Sequence, residues 1–479
     1  MNIKKVINHI GSMMILEAIF MIFPLIVSLI YNEVAGKYFF YCIIVLLLFG
    51  IILLKAFVSD SRFFSAEGFV TVSLGWIVLS IFGALPFYLS KEIPSYIDAL
   101  FETVSGFTTT GATILNNPAE MPKCINFWRC FTHFVGGMGV LVLMLTIIPT
   151  KSENMQIMKA ESPGPQVGKL VSKVSDTART LYTIYVVLTI ITILAYKLSG
   201  MPIFDSICIG LGTAGTGGFV VTSNGCASYS EFSQTLIAIF MLLFGVNFNL
   251  YFLILIGKFK EALKSEELHA YIIIVLLSVV IIFFNIISFY DNAKYSLHTA
   301  FFHVSSIITT TGFSIGDFAK WPELSQNILL LLMICGGCAG STAGGMKVSR
   351  MLISYKATTN EIYTQLHPSS VRVVKFENKV VQKDTIRTVL CYIIIYVIFC
   401  LVGIALISLE NFDFATTVSS VLETFNNIGQ GLSKVGPTGN FSIFNPFSKL
   451  IFIILMLTGR LEIFPIIIMF SKKTWQRSK

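Results

Sequence analysis

Charge is scarce in this chain. Asp, Glu, Lys and Arg make up 13% of its 479 residues, against roughly a quarter in soluble globular proteins. With 54% hydrophobic residues and a mean hydropathy of +0.78, a soluble fold is excluded and an integral membrane protein is indicated. Other familiar signatures are missing too. The nine cysteines are an odd count without framework spacing, which excludes a disulfide scaffold. Cys335-Gly336-Gly337-Cys338 has the C-x-x-C form, but its apolar surroundings, with no βαβ pattern nearby, read as packing. No Walker A motif and no G-x-G-x-x-G after a strand is found, so nucleotide control must come from a partner. His133, His298 and His303 lack ligand spacing and read as structural. Gly312-Phe313-Ser314-Ile315-Gly316 matches the G-x-S-x-G elbow in letters but not in its strand-to-helix context. No catalytic constellation remains, so the chain reads as non-enzymatic. Its net charge of +8 concerns membrane topology rather than nucleic acid.

Long apolar runs are what the sequence has in abundance. Spans are expected near 11–31, 38–58, 69–89, 127–149, 180–198, 232–257, 270–290, 325–357, 388–409 and 447–470, each long enough to cross a bilayer. The first follows Lys4 and Lys5 as a signal peptide would, but its length and the lack of a small-residue cleavage site make it an uncleaved helix. Lys and Arg concentrate in 150–180, 257–268, 345–388 and 471–479. Those segments, and with them both termini, are assigned to the cytoplasm.

Short glycine-ending segments recur between these spans. They are Thr108-Thr109-Thr110-Gly111, Thr213-Ala214-Gly215-Thr216-Gly217-Gly218, Thr309-Thr310-Thr311-Gly312 and Asn426-Asn427-Ile428-Gly429. Each follows a semi-apolar stretch of half-span length: 97–107, 202–212, 295–308 and 412–425. Irregular backbone at membrane depth is tolerated only inside protein or around a water-filled cavity. The expected fold is therefore an all-α membrane protein of four span–half-helix–span repeats around a pseudo-fourfold pore, behind a two-span N-terminal leader. The expected divisions are 1–62, 63–150, 151–260, 261–386 and 387–479. Each repeat has an even number of crossings, so all four face the same way, as parallel repeats do.

Rings of backbone carbonyls replace the hydration shell of potassium, and half-helix C-termini turned inward favour a cation. The candidate ligands are Thr109, Thr110 and Gly111; Gly215, Thr216, Gly217 and Gly218; Thr310, Thr311 and Gly312; and Asn427, Ile428 and Gly429. In the second segment either Gly217 or Gly218 can match the other glycines. No acidic ring is present, and one turn per repeat is shorter than T-V-G-Y-G, which implies looser discrimination of potassium from sodium. Gly336, Gly337, Gly340, Gly344 and Gly345 crowd the eighth span, where each glycine costs up to about 1 kcal/mol in a helix. They read as a flexible gate beneath the turns or as a small-residue packing motif, with Lys347 and Arg350 marking the return to the cytoplasm. Arg460 falls mid-span in 448–470. Such an arginine is paired or functional, either in a structural ion pair or as an electrostatic barrier in the pore.

These residues resemble bacterial Trk-type potassium uptake proteins, the TrkH/TrkG branch of the Trk/Ktr/HKT superfamily. The likeness rests on Ser105-Gly106-Phe107-Thr108-Thr109-Thr110-Gly111-Ala112, Gly136-Gly137-Met138-Gly139, Thr216-Gly217-Gly218-Phe219 and Thr309-Thr310-Thr311-Gly312-Phe313. It continues through Gly337–Lys347, Asn426-Asn427-Ile428-Gly429, Gly459-Arg460-Leu461-Glu462 and the cytoplasmic Ala160–Pro165. The resemblance implies a homodimer in the bacterial inner membrane, each protomer with its own potassium pore. It also implies gating by a cytoplasmic nucleotide-binding TrkA-like ring, an intramembrane gating loop at 336–345, and a pore-facing Arg460. Gln430 departs from the proline found there in many relatives. No cofactor is expected beyond potassium as the transported ion, and the basic loops can also meet anionic lipid. A symporter coupling potassium to protons or sodium is the alternative.

Overall fold

The computed structural model describes residues 1–58, 65–139, 174–290, 292–370 and 372–475. Among the described residues, six helices are long and apolar enough to cross a membrane: Ile3–Tyr31, Gly36–Ala56, Ala66–Leu89, Ala178–Leu198, Glu266–Ile286 and Lys383–Glu410. Long side chains such as Leu48, Leu277 and Leu401 stand exposed on their outer faces, as suits lipid in place of water. Two further apolar helix pairs are sharply bent, Glu231–Phe244 with Phe248–Leu255 at 88° and Pro446–Arg460 with Phe464–Phe470 at 117°.

The first two helical crossings pack on each other and on the body as a leader. Behind them the chain repeats one plan: a span, a short buried helix, an irregular return, and a second helix that stops partway. The short helices are Tyr96–Phe107, Ile203–Gly215, Ala293–Ile308 and Phe414–Asn426. Three begin at side-chain caps, where Ser95 accepts from Asp98 N, Asn292 from Lys294 N, and Asp413 from Thr416 N. Such caps satisfy amides a helix start leaves open.

The second helices depart from the sequence expectation. The expected continuous spans 232–257 and 447–470 are broken at 245–247 and 461–463. At the latter break Glu462 and Ile463 adopt left-handed backbone, with φ of 56° and 68°. Helix Glu323–Cys335 gives way to a loop before Val348–Leu366, and Lys123–Gly137 ends just ahead of Gly139, whose φ is 83°. The remainder of the expected 127–149 span and the Ala160–Pro165 motif lie outside the described residues. Among the described residues, the one strand pairing is an antiparallel hairpin of Lys375–Phe376 with Lys379–Val380.

Candidate functional site

Each short helix ends in the same turn. The residue after its last turn is left-handed: Thr109 (φ 56°), Thr216 (54°), Thr310 (55°) and Asn427 (56°). The next amide reaches back five residues: Thr110 N to Ser105 O and Gly217 N to Gly212 O at 2.8 Å, Thr311 N to Ser306 O at 2.9 Å, and Ile428 N to Glu423 O at 2.8 Å. This is the helix-ending motif that satisfies orphan carbonyls. Two residues past the left-handed position come Gly111 (φ 80°), Gly218 (84°), Gly312 (80°) and Gly429. The backbone thus pairs Gly218, not Gly217, with the glycines of the other turns.

The turns close on one another. A Cβ placed on Gly111 would strike the carbonyl of Gly217, and one on Gly218 the carbonyl of Thr311. At Gly312 it would lie 2.7 Å from Gly429 N, and at Gly429 2.7 Å from the carbonyl of Gly111. Four segments, far apart in sequence, therefore form a ring in cyclic order with backbone against backbone. A hydrogen for a side chain is what allows that approach.

Polar side chains brace the ring from behind. Glu102 and Arg129 form a buried ion pair at 2.8 Å. Glu102 also accepts from the Thr113 hydroxyl at 2.9 Å and from Ile114 N at 3.0 Å. Arg129 donates to Val220 O at 3.3 Å and lies 4.2 Å from the Phe219 ring centre. The pair therefore ties the outer limb of the first turn to that of the second. His133 adds another tie, with Nδ1 2.8 Å from Gly106 O and Phe219 N donating to Nε2 at 3.3 Å. Asn427 Nδ2 donates to Thr110 Oγ1 at 3.0 Å, and Gln430 Nε2 to Ser314 Oγ at 3.1 Å. Removing one partner of a buried pair strands the other charge, so Arg129→Met is expected to cost about 3–5 kcal/mol. Thermal unfolding in detergent checks this; a melting temperature equal to that of the wild type would refute it.

Below the ring lies the glycine-rich loop. Gly336, Gly340 and Gly345 have φ of 70°, 68° and 75°, so the helix is interrupted. Gly344 N donates to Thr310 Oγ1 at 2.6 Å, and Gly345 N to Asn426 O at 3.2 Å. Further groups of the loop meet the break in the second repeat. Cys338 N donates to Gly245 O and Phe248 N to Gly340 O, both at 3.0 Å, and the Thr342 hydroxyl donates to Phe244 O at 3.3 Å. Two interrupted helices thus satisfy each other's free amides and carbonyls. Buried backbone groups need such partners, but nothing in the apolar run 232–257 announced the break beyond Gly245 and Asn247.

Arg460 ends its helix rather than occupying mid-span. Its guanidinium donates to Thr342 O at 2.9 Å, Gly136 O at 2.5 Å and Gly137 O at 2.6 Å. It therefore joins the loop to the end of the first repeat's second helix. Arg460, Asn427, Gly344 and Glu462 line a cavity of about 870 Å3, its open mouth included. Lys347 and Arg350, expected to mark the return to the cytoplasm, are both buried. Lys347 donates to Ala343 O, while Arg350 pairs with Glu462 and stacks 4.0 Å from the Tyr392 ring centre. Glu423 sits fully buried behind the fourth turn beside Gly431, its carboxylate without a hydrogen-bond partner among the described residues.

The TrkH family model, described as a cation transport protein, matches residues 35–478. The chain is 37% identical over 488 residues to the Trk system potassium uptake protein TrkH of Salmonella typhimurium, covering 99% of this chain and 100% of that one. It is 33% identical over 483 residues to the Trk system potassium uptake protein TrkG of Escherichia coli, covering 98% and 99%. The crystal structure of the potassium transporter TrkH from Vibrio parahaemolyticus matches with a TM-score of 0.89 at 31% identity, covering 99% and 100%. The chain belongs to the family of Trk-type potassium uptake proteins.

Proposed function

We propose that this chain conducts potassium through the ring of four turns, with the ring as its selectivity filter. The observation that carries this reading is the closed backbone ring itself, assembled from glycines where a Cβ would collide with the next repeat. Backbone carbonyls on such a ring can stand in for lost hydration. The ligands are drawn from Thr109, Thr110, Gly111, Gly215, Thr216, Gly217, Gly218, Thr310, Thr311, Gly312, Asn427, Ile428 and Gly429. The loop Gly336–Gly345, with Gly337, Gly340 and Gly344 between, acts as the gate, and Arg460 places a positive charge in the path below. The names of the relatives, Trk potassium uptake proteins, support potassium as the cargo. They also support a multi-component system; our reading of it is a homodimer in the bacterial inner membrane, with a TrkA-like nucleotide-binding subunit docked on its cytoplasmic face.

The test is rubidium and potassium influx into vesicles reconstituted with the purified chain. Uptake that follows an imposed potassium gradient supports the reading; vesicles no leakier than empty ones, with or without cytoplasmic partner, would overturn it. Reversal potentials in mixed potassium and sodium are expected to show sodium permeating measurably, because the filter is one turn deep. Strict sodium exclusion would contradict that expectation.

A further inference from the structure

Glu267 is the second residue of the span Glu266–Ile286 and is buried at its end. One of its carboxylate oxygens, Oε1, accepts from Ala339 N at 2.6 Å and from Ser349 N at 3.2 Å. Ala339 lies inside the glycine-rich loop, and Ser349 lies in the first turn of the helix that leaves it. A single oxygen therefore staples the loop's interior to its exit. The adjacent Glu266 pairs with Lys356 on the same exit helix.

The hairpin 375–380 touches both positions. Its turn residues Glu377 and Asn378 are left-handed, with φ of 51° and 58°, as a two-residue hairpin loop requires. Glu377 Oε1 accepts from Ser265 Oγ at 2.7 Å and from the backbone N of Glu267 at 3.1 Å. The hairpin carbonyl of Lys375 accepts from Lys356 Nζ at 2.9 Å. Phe376 anchors the hairpin in a buried cluster with Ile353, Val374, Val381 and Val389, while Lys375, Asn378, Lys379 and Val380 stay exposed. The route from exposed hairpin to loop is thus continuous: Glu377 to the amide of Glu267, and the carboxylate of Glu267 to Ala339 and Ser349.

We propose that Glu267 is the positioning residue that latches the glycine-rich loop in its closed form, and that displacing the hairpin through Glu377 releases the latch. The inference rests on the reading of that loop as the gate. Cys338, buried in the loop next to Ala339, supplies a readout of loop opening separate from flux. The full chain, with its other cysteines replaced by alanine, is reconstituted. Cys338 labelling by a membrane-impermeant thiol reagent and rubidium influx are then measured on the same vesicles. Loss of hydrogen bonds to a charged acceptor predicts that Glu267→Ala raises both rates roughly tenfold. Glu267→Gln, which keeps a carbonyl oxygen in place, should bring both back toward the wild-type rates. Glu377→Ala should move both in the same direction by less. Should the alanine variant aggregate, Glu267→Asp, with its oxygens withdrawn by one methylene, must also raise labelling. Labelling at the wild-type rate in Glu267→Ala or Glu267→Asp overturns the latch. Faster labelling with unchanged influx keeps the latch and overturns the gate reading instead.

Discussion

A single methyl group on Gly111 or Gly312 is expected to abolish potassium conduction. Both glycines hold φ of 80°, a conformation that costs an L-residue about 1–2 kcal/mol. The added carbon would also meet the neighbouring repeat's backbone, the Gly217 carbonyl in one case and Gly429 N in the other. Neither obstacle is the flexible end of a side chain, so relief requires moving a turn of the proposed filter. A filter is sensitive to displacements much smaller than a methyl group, because its oxygens must match a hydration shell. Gly111→Ala and Gly312→Ala should therefore lower rubidium influx by roughly a hundredfold or more. Size-exclusion profiles close to the wild type would show that the body of the protein still folds. Influx above a tenth of the wild-type rate in either variant would mean that the ring is packing and the ion passes elsewhere.

Removal of the guanidinium below the ring is expected to act in the opposite direction. Arg460 donates to Thr342 on the glycine-rich loop and to Gly136 and Gly137 on the first repeat. On the proposed reading it contributes both a positive charge facing an entering cation and a strap across the loop. Arg460→Ala deletes both and should raise rubidium influx roughly tenfold, the scale of one hydrogen bond from a charged donor. Arg460→Lys separates the two contributions, since it keeps a charge but not a fork that can reach several carbonyls at once. A barrier that is purely electrostatic leaves the lysine variant as slow as the wild type, whereas a strap leaves it nearly as fast as the alanine variant. The contacts favour the strap. Unchanged or lower influx in a well-folded Arg460→Ala chain would remove Arg460 from the gating machinery altogether.

Much of this architecture is legible in the sequence because its signals are local. The half-helices and their glycine turns combine a short semi-apolar stretch with small residues, and the structure sets the helices within a few residues of the expected bounds. The register of the second turn was not legible. Gly217 and Gly218 are both glycine, and the left-handed Thr216 distinguishes them only in three dimensions. The breaks at 245–247 and 461–463 were hidden for a different reason. Hydropathy counts apolar residues and cannot see that Phe244, Gly245 and Phe248 find hydrogen-bond partners in a loop about a hundred residues away. Arg460 stands out in the sequence as an anomaly, but the partners described for it are carbonyls, and carbonyls carry no residue identity to search for. The Glu102–Arg129 pair gave no signal either, since one member lies on a half-helix and the other on the following helix. The buried contacts of Lys347 and Arg350 gave no signal, because positive charge near a span's end is ordinarily read as marking the membrane surface.

The turns and the second helices differ in how far the repeats agree with one another. In the turns all four units obey a single template, with a left-handed residue at the same place and the same five-residue reach of an amide. In the second helices three units differ among the described residues: a pair bent by 88° in the second, a glycine-rich loop in the third, and a pair bent by 117° just after Arg460 in the fourth. Exchange of sequence between repeats should therefore be tolerated in the turns and fail in the second helices. If the ring is the filter proposed here, the ion-handling part of the molecule has stayed symmetric while each second helix took up a separate task.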